Sequence, residues 1–432
     1  MIPYLLRRFR EDLKHEGLRG TLVRTTILSG TIKCGALGLA FIASLLYARA
    51  LGPAEYGRYA YVLAWTALLT VPASLGLPQY LVREGTKAPG YDRELRVWAD
   101  RRVVLAGVVC GALLAVLSLL PSNAGASRLM LLAVVLPMLN ALGGVRSGLL
   151  QARARIIASQ WPTLLLAPTL ILLALIILWL LSGRLSADVL VLVTVLAALV
   201  PLVINHWQLT RSTGETDTVS VHSARLKAAL PFMWLNALFL INSRTDLIMV
   251  GALRGAHDAG IYSVASRAAE LVAFFLTVAN TIIGPHVARM HHAKEHGRLQ
   301  HLASETARRL LLATLPIALM MFLGAPLLIR MFYGPEFAGA AVVLQVLTIG
   351  QFMTVVFGPV GILLNMTEYA SLSARAFGIS AVINVMCNAL LIPFLGSVGA
   401  AISTAFSLTL CAGMRWWFVR RHLRLRPSAL GI

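Results

Sequence analysis

Charged residues are scarce: they make up 13% of the 432 positions, where a water-soluble chain carries about 25%. With 58% apolar residues and a mean hydropathy of +0.77, a fold of this size cannot hide its apolar surface from water. The solvent must be lipid. Cysteine is scarce too. Cys34, Cys110, Cys387 and Cys411 lie in apolar stretches without a CxxC pair, which excludes a disulfide framework and a thiolate metal site. His286, His291, His292, His296 and His301 crowd one connection. No HExxH accompanies them, so they read as a solvated cationic loop with no metal. No connection exceeds about 25 residues, which leaves no room for a soluble catalytic domain. The first 28 residues lack the small-residue cleavage site of a secretory signal.

What is present is a series of apolar runs, each about twenty residues and long enough to cross ~30 Å of hydrocarbon as a helix. There are twelve: 29–50, 57–77, 103–121, 129–150, 160–182, 187–205, 230–252, 261–285, 309–330, 338–364, 373–394 and 397–419. The tenth exceeds the need of one span, which predicts a tilt or a break near Gly358-Pro359. Short alternating strands are missing, so a barrel is excluded.

Acidic residues number 18 against 38 basic ones, and the position of the excess separates two explanations. With a cytoplasmic N-terminus, 29 basic residues fall in the cytoplasmic segments 1–28, 78–102, 146–159, 206–229, 286–309, 365–375 and 415–432. Arg49, Arg58, Arg128, Arg184, Arg254 and Arg330 fall on the other side; Lys33, Arg244 and Arg267 lie within spans. This partition is a positive-inside signal and needs no nucleic acid. It predicts cytoplasmic termini. Leu5, Leu6, Phe9 and Leu13 recur at helical spacing opposite Arg7, Arg8, Arg10 and Lys14, a pattern shared by interfacial helices and generic topology anchors. Arg415-Trp416-Trp417-Phe418-Val419-Arg420-Arg421 reads as an interface anchor.

The polar connection 206–229 lies near the midpoint and divides the chain into a segment 1–28, six spans over 29–205, six over 230–419 and a tail 420–432. An internal repeat supports the division. Gly52-Pro53-Ala54-Glu55-Tyr56-Gly57-Arg58-Tyr59 and Gly255-Ala256-His257-Asp258-Ala259-Gly260-Ile261-Tyr262 both read Gly-x-x-acid-x-Gly-x-Tyr. The glycines suit a tight turn between antiparallel helices, and each tyrosine is expected to anchor the next helix at the interface.

With Leu51-Gly52-Pro53 through Tyr59, the Gly255–Tyr262 turn and Phe332-Tyr333-Gly334-Pro335-Glu336-Phe337, the chain resembles the polysaccharide transporter branch of the MOP superfamily, the Wzx-like flippases. The resemblance implies an all-α integral membrane fold, MATE-like, with two pseudo-symmetric six-helix bundles around a central cavity. It also implies a function in polysaccharide or lipopolysaccharide biosynthesis. The implied substrate is a polyprenyl-diphosphate-linked oligosaccharide, moved from the cytoplasmic to the outer leaflet of a bacterial inner membrane. Membrane lipid and other polysaccharide assembly proteins are the further partners it suggests.

Charges within spans are the candidate functional residues, since each costs about 2.5–3.5 kcal/mol near mid-membrane and faces a cavity or a partner. Arg244 and Asp246 are two residues apart, about 200° around a helix, so they do not pair with each other. Arg267 and Glu270 share a face and can pair. They either neutralise one another structurally, or Arg244 and Arg267 attract a diphosphate through bidentate bonds. Asp246 and Glu270 are candidates for coupling to a proton or sodium ion. Lys33 either snorkels or meets a head group at the inner opening. Asn140, Asn280, Asn384, Asn388, Ser403, Thr404 and Ser407 read mainly as interhelical glue, with sugar binding an added role for some, Asn280 among them. Nothing calls for catalytic residues or a cofactor.

Two other functions compete. A drug or cation antiporter of the MATE branch would not require intramembrane arginines. A membrane-embedded glycan polymerase or ligase would carry a sizeable outer loop, and none is present. A peptidoglycan-precursor flippase typically has additional spans.

Overall fold

In hydrocarbon a backbone amide has no water to bond, so each apolar run must close its hydrogen bonds within its own segment as a helix. The computed structural model describes residues 18–85, 93–182, 185–211 and 226–427, and every regular element there is helical. In chain order the α-helices are α1 (Leu18–Ser74), α2 (Leu77–Gly85), α3 (Arg93–Leu117), α4 (Ser127–Leu132), α5 (Leu136–Ala152), α6 (Ile156–Trp161), α7 (Ala167–Ser182) and α8 (Ala187–Thr210). There follow α9 (Leu226–Arg254), α10 (Ala256–Glu270), α11 (Phe274–His292), α12 (His296–Leu323), α13 (Ala325–Phe332), α14 (Ala340–Val356), α15 (Val360–Asn365) and α16 (Ala370–Phe418).

Each of the twelve apolar runs lies on helix, though not as one helix per run. Seven helical stretches among the described residues are long and apolar enough to cross a membrane, or eight if the pair α10 and α11, bent by 50°, is one span. The difference from twelve has three causes. First, α1 and α16 each hold two runs, joined across Gly52 (φ 73°, ψ 173°) and Gly396 (φ 58°, ψ −136°), conformations open to glycine. Second, α3 begins with Arg93, Arg96, Asp100, Arg101 and Arg102, which lowers its apolar content. Third, α14 has only 17 residues. The run 338–364 is broken where Gly358-Pro359 predicts it, with Gly358 at φ 77°.

Two connections differ from expectation. The segment 286–308 is no loop: α11 continues to His292, and α12 starts at His296. Ion pairs one turn apart hold this helix beyond the membrane, as Arg298–Glu295 at 3.1 Å and Arg309–Glu305 illustrate. His291 Nε2 lies 2.8 Å from Glu368 Oε2, and this bond holds the Glu368 carboxyl below the usual carboxylate range. Much of 78–102 is likewise helical, in α2 and α3. The stretch Leu5–Lys14, residues 212–225 of the mid-chain connection and the end of the tail lie outside the described residues.

Leu181 is 80% exposed and Phe394 81%, which places large apolar side chains outward as lipid requires. The interior holds one extended core containing Tyr47, Tyr56, Tyr59, Tyr61 and Tyr262. A smaller core at the basic end is built on Val287, Leu299, Leu363 and Val419. Arg420 stands 5.4 Å over the Trp416 ring and Arg421 5.2 Å over Trp417, an arrangement suited to an interface anchor. Within this frame α1 packs along α9 and α10, and α9 packs along α16. That places the intramembrane charges at the junction of four helices.

Candidate functional site

On α9 successive residues turn by about 100°, so Arg244 and Asp246 leave the helix in different directions. They serve two separate surroundings. Arg244 is half-buried and turned toward Arg267, Glu270 and Tyr56, close enough to interact with each electrostatically. Its Nε is buried without a hydrogen-bond partner. On α10, Arg267 Nη1 lies 3.2 Å from Glu270 Oε2, with the side chains 34% and 41% exposed. These two line a groove with Leu271, just past the end of α10, and with Leu37, Ala40 and Phe41 of α1. The pairing that i, i+3 spacing predicts is therefore present. Among the described residues Glu270 is matched to Arg267, and Arg244 adds one positive charge beside the groove with no acidic partner of its own.

Lys33 is exposed on α1, one helical turn before Leu37 and so on the stripe that walls the groove. Asn280 lies past the bend, on α11. Its Oδ1 is buried and unpartnered, and it does not line the groove. Glu270 and Asp246, grouped in the sequence reading, are separated: Glu270 belongs with the arginines.

Asp246 is 4% exposed and sits in a polar cluster inside the protein. Tyr262 Oη donates to its Oδ2 at 2.9 Å, Thr404 Oγ1 donates to the same oxygen at 2.7 Å, and Asn388 Nδ2 donates to Oδ1. Asn388 also donates to Asn384 Oδ1 at 3.0 Å, and Asn384 donates to Ser407 Oγ at 3.3 Å. The Asn388 Oδ1 is buried without a partner. Three donors on one carboxylate satisfy a buried charge that would otherwise be expensive.

Sequence reasoning placed Asn384 and Asn388 on one face but assigned them to glue, and it gave both repeat tyrosines to the interface. The structure corrects the tyrosines. Tyr59 and Tyr262 are 6% and 4% exposed; Tyr59 Oη lies 3.3 Å from Thr194 Oγ1, and Tyr262 serves Asp246. A hydroxyl with an intramolecular partner need not remain in the headgroup layer. The available signal was the carboxylate itself: a mid-span aspartate needs donors, and Asn388 and Thr404 were the polar residues on nearby spans. Among the described residues no group of three or more His, Cys, Asp or Glu could hold a metal ion.

A family model described as polysaccharide biosynthesis protein matches residues 46–342, more than half of the chain. Among curated proteins, a stretch of 162 residues is 26% identical to the probable low-salt glycan biosynthesis flippase Agl15 of Haloferax volcanii, covering 38% of this chain and 34% of the relative. That match spans about a third of the relative's length. Among solved structures, the lipid II flippase MurJ in an inward closed conformation superposes with a TM-score of 0.71 at 16% identity, over 91% of this chain and 87% of MurJ. An inward-facing MATE multidrug resistance transporter of the MOP superfamily gives 0.68 at 14%, over 92% and 98%. At these identities the structures speak to the fold alone, which is MATE-like. With its spans, its repeat turns and a family match across most of the pattern, the chain belongs to the polysaccharide biosynthesis protein family.

Proposed function

We propose that this protein is a flippase that carries a polyprenyl-diphosphate-linked oligosaccharide from the cytoplasmic to the outer leaflet of a bacterial inner membrane, for O-antigen, capsule or exopolysaccharide export. The observation that carries this reading is the cation of Arg244, with no acidic partner of its own among the described residues, beside the Arg267–Glu270 pair. Excess positive charge at membrane depth is costly unless an anion shares the site. A diphosphate supplies two charges and the acceptor geometry guanidinium forks match. Lys33, one turn toward the basic end, suits the first contact of that head group. Agl15, named as a probable glycan biosynthesis flippase, supports a flippase of glycan biosynthesis.

The basic residues on one face support cytoplasmic termini. Transport proceeds by alternating access, and Asp246 is the coupling carboxylate for a proton or sodium ion: it is buried, removed from the arginines and held by groups on α10 and α16. Glu270 neutralises Arg267 and serves no coupling role.

The test is translocation of a polyprenyl-diphosphate-linked oligosaccharide in proteoliposomes. Arg244→Ala and Arg267→Ala are each expected to slow it about 10–100-fold, the worth of one charge-assisted phosphate contact, with protein yield unchanged. Wild-type protein that moves no such lipid yet exchanges small organic cations would overturn the reading in favour of an antiporter.

A further inference from the structure

The repeat turns and the Tyr-Gly-Pro-Glu-Phe element lie far apart in sequence, and their glycines do not line the arginine groove. They meet at one place. Gly52 (φ 73°, ψ 173°) and Gly255 (φ 88°, ψ −178°) open their helices in nearly the same backbone conformation, 203 residues apart. The helices they open then touch each other through the second glycine of each turn. A Cβ on Gly57 would strike the carbonyl oxygen of Ala256 and lie 2.6 Å from the Gly260 nitrogen. A Cβ on Gly260 would strike the carbonyl oxygen of Pro53 and lie 3.2 Å from the Gly57 nitrogen. Each contact maps onto the other under the same 203-residue shift, so this is a two-fold seam between copies of one motif.

The third element caps the seam. Glu336 Oε2 lies 3.3 Å from where a Gly52 Cβ would be, and a Cβ on Gly339 would lie 3.1 Å from Ile261 Cδ1. Tyr333 Oη is 3.4 Å from Ser44 Oγ, and Arg49 donates to the Met331 carbonyl.

We infer that these three motifs form the gate closing the transport path at the face opposite the basic one, and that Gly57 and Gly260 are the residues that let it shut. The distribution of ion pairs fits a seam that must separate. Glu55 pairs with Arg58 at 2.7 Å, and Asp258 pairs with Arg254 at 3.5 Å. Each acid is thus neutralised by its own turn, and opening breaks neither pair. Side-chain ties across the seam include the Arg49–Met331 and Ser44–Tyr333 contacts and a Tyr56–Ser263 hydrogen bond, and the glycines add close backbone packing. Such packing draws on van der Waals contact, as helix association in lipid generally does, and exposes no unpaired charge when it parts.

This inference rests on the alternating-access reading above, but its test needs no substrate, so the two fail separately. In protein whose four native cysteines are replaced by alanine, Ser44→Cys reports on the gate, because Ser44 is 4% exposed beneath it. A membrane-impermeant maleimide is applied from the face bearing Gly52 and Gly255. Labelling should be slow. Adding Gly57→Ala with Gly260→Ala should raise its rate about tenfold or more by shifting population to the open state. Arg49→Ala, which deletes a tie without adding bulk, should raise it about threefold. Gly297→Ala, where a Cβ meets nothing within 4 Å, should leave it unchanged. Fast labelling of Ser44→Cys alone, or labelling that stays slow in monodisperse Arg49→Ala and glycine variants, would overturn the gate. If the glycine variant is not recovered folded, Arg49→Ala decides the question by itself.

Discussion

Asp246 accepts from a tyrosine, a threonine and an asparagine, none of which lies on its own helix. Its two simplest replacements therefore differ. Asp246→Asn keeps an oxygen for one set of donors, and the Asn388 amide can flip to offer its unpartnered oxygen to the new NH2 group. Folding stability should change by less than about 1 kcal/mol, while any coupling-ion dependence of transport disappears. Asp246→Ala removes an acceptor shared by three buried donors and should cost about 2–4 kcal/mol. Thermal unfolding in detergent reads both. Equal losses in the two variants would show that the charge, rather than the hydrogen bonding, holds the cluster together.

Among the elements, the turn joining α1 to α2 approaches α9 closely near the basic end. Gly76 has φ 69°, and a Cβ there would lie 2.6 Å from the Met233 nitrogen. Gly76→Ala therefore meets both a disfavoured backbone conformation and a backbone neighbour, and should destabilise the protein by about 2 kcal/mol or more. Gly378, within α16, has nothing within 4 Å of its Cβ position. Gly378→Ala should stabilise by up to about 0.5–1 kcal/mol, the helix-propensity difference. Opposite signs in one melting series would confirm that a glycine's worth here depends on what it faces.

For the molecule as a whole, the partition of basic residues sets the orientation. Green fluorescent protein fused at the C-terminus should fluoresce, since that end is placed in the cytoplasm. Alkaline phosphatase fused after residue 126 or 255 should be active, and after residue 152 or 294 inactive. The reverse pattern would invert the assigned direction of transport and leave the gate geometry as it is.

The lipid solvent, the twelve helical runs, the break at Gly358-Pro359 and the repeat were legible in the sequence, because hydrocarbon obliges each segment to satisfy its own backbone. Local composition is then enough. The Arg267–Glu270 pair was legible for the same reason, being three residues apart on one helix. What only the tertiary structure decided is contact between helices. Asn388 and Thr404 reach Asp246 from 142 and 158 residues away; Tyr262 turns inward to the same carboxylate. Gly57 and Gly260 meet across the two copies of the repeat. Such contacts depend on the rotation and tilt of each helix, which packing against neighbours sets and no local signal records.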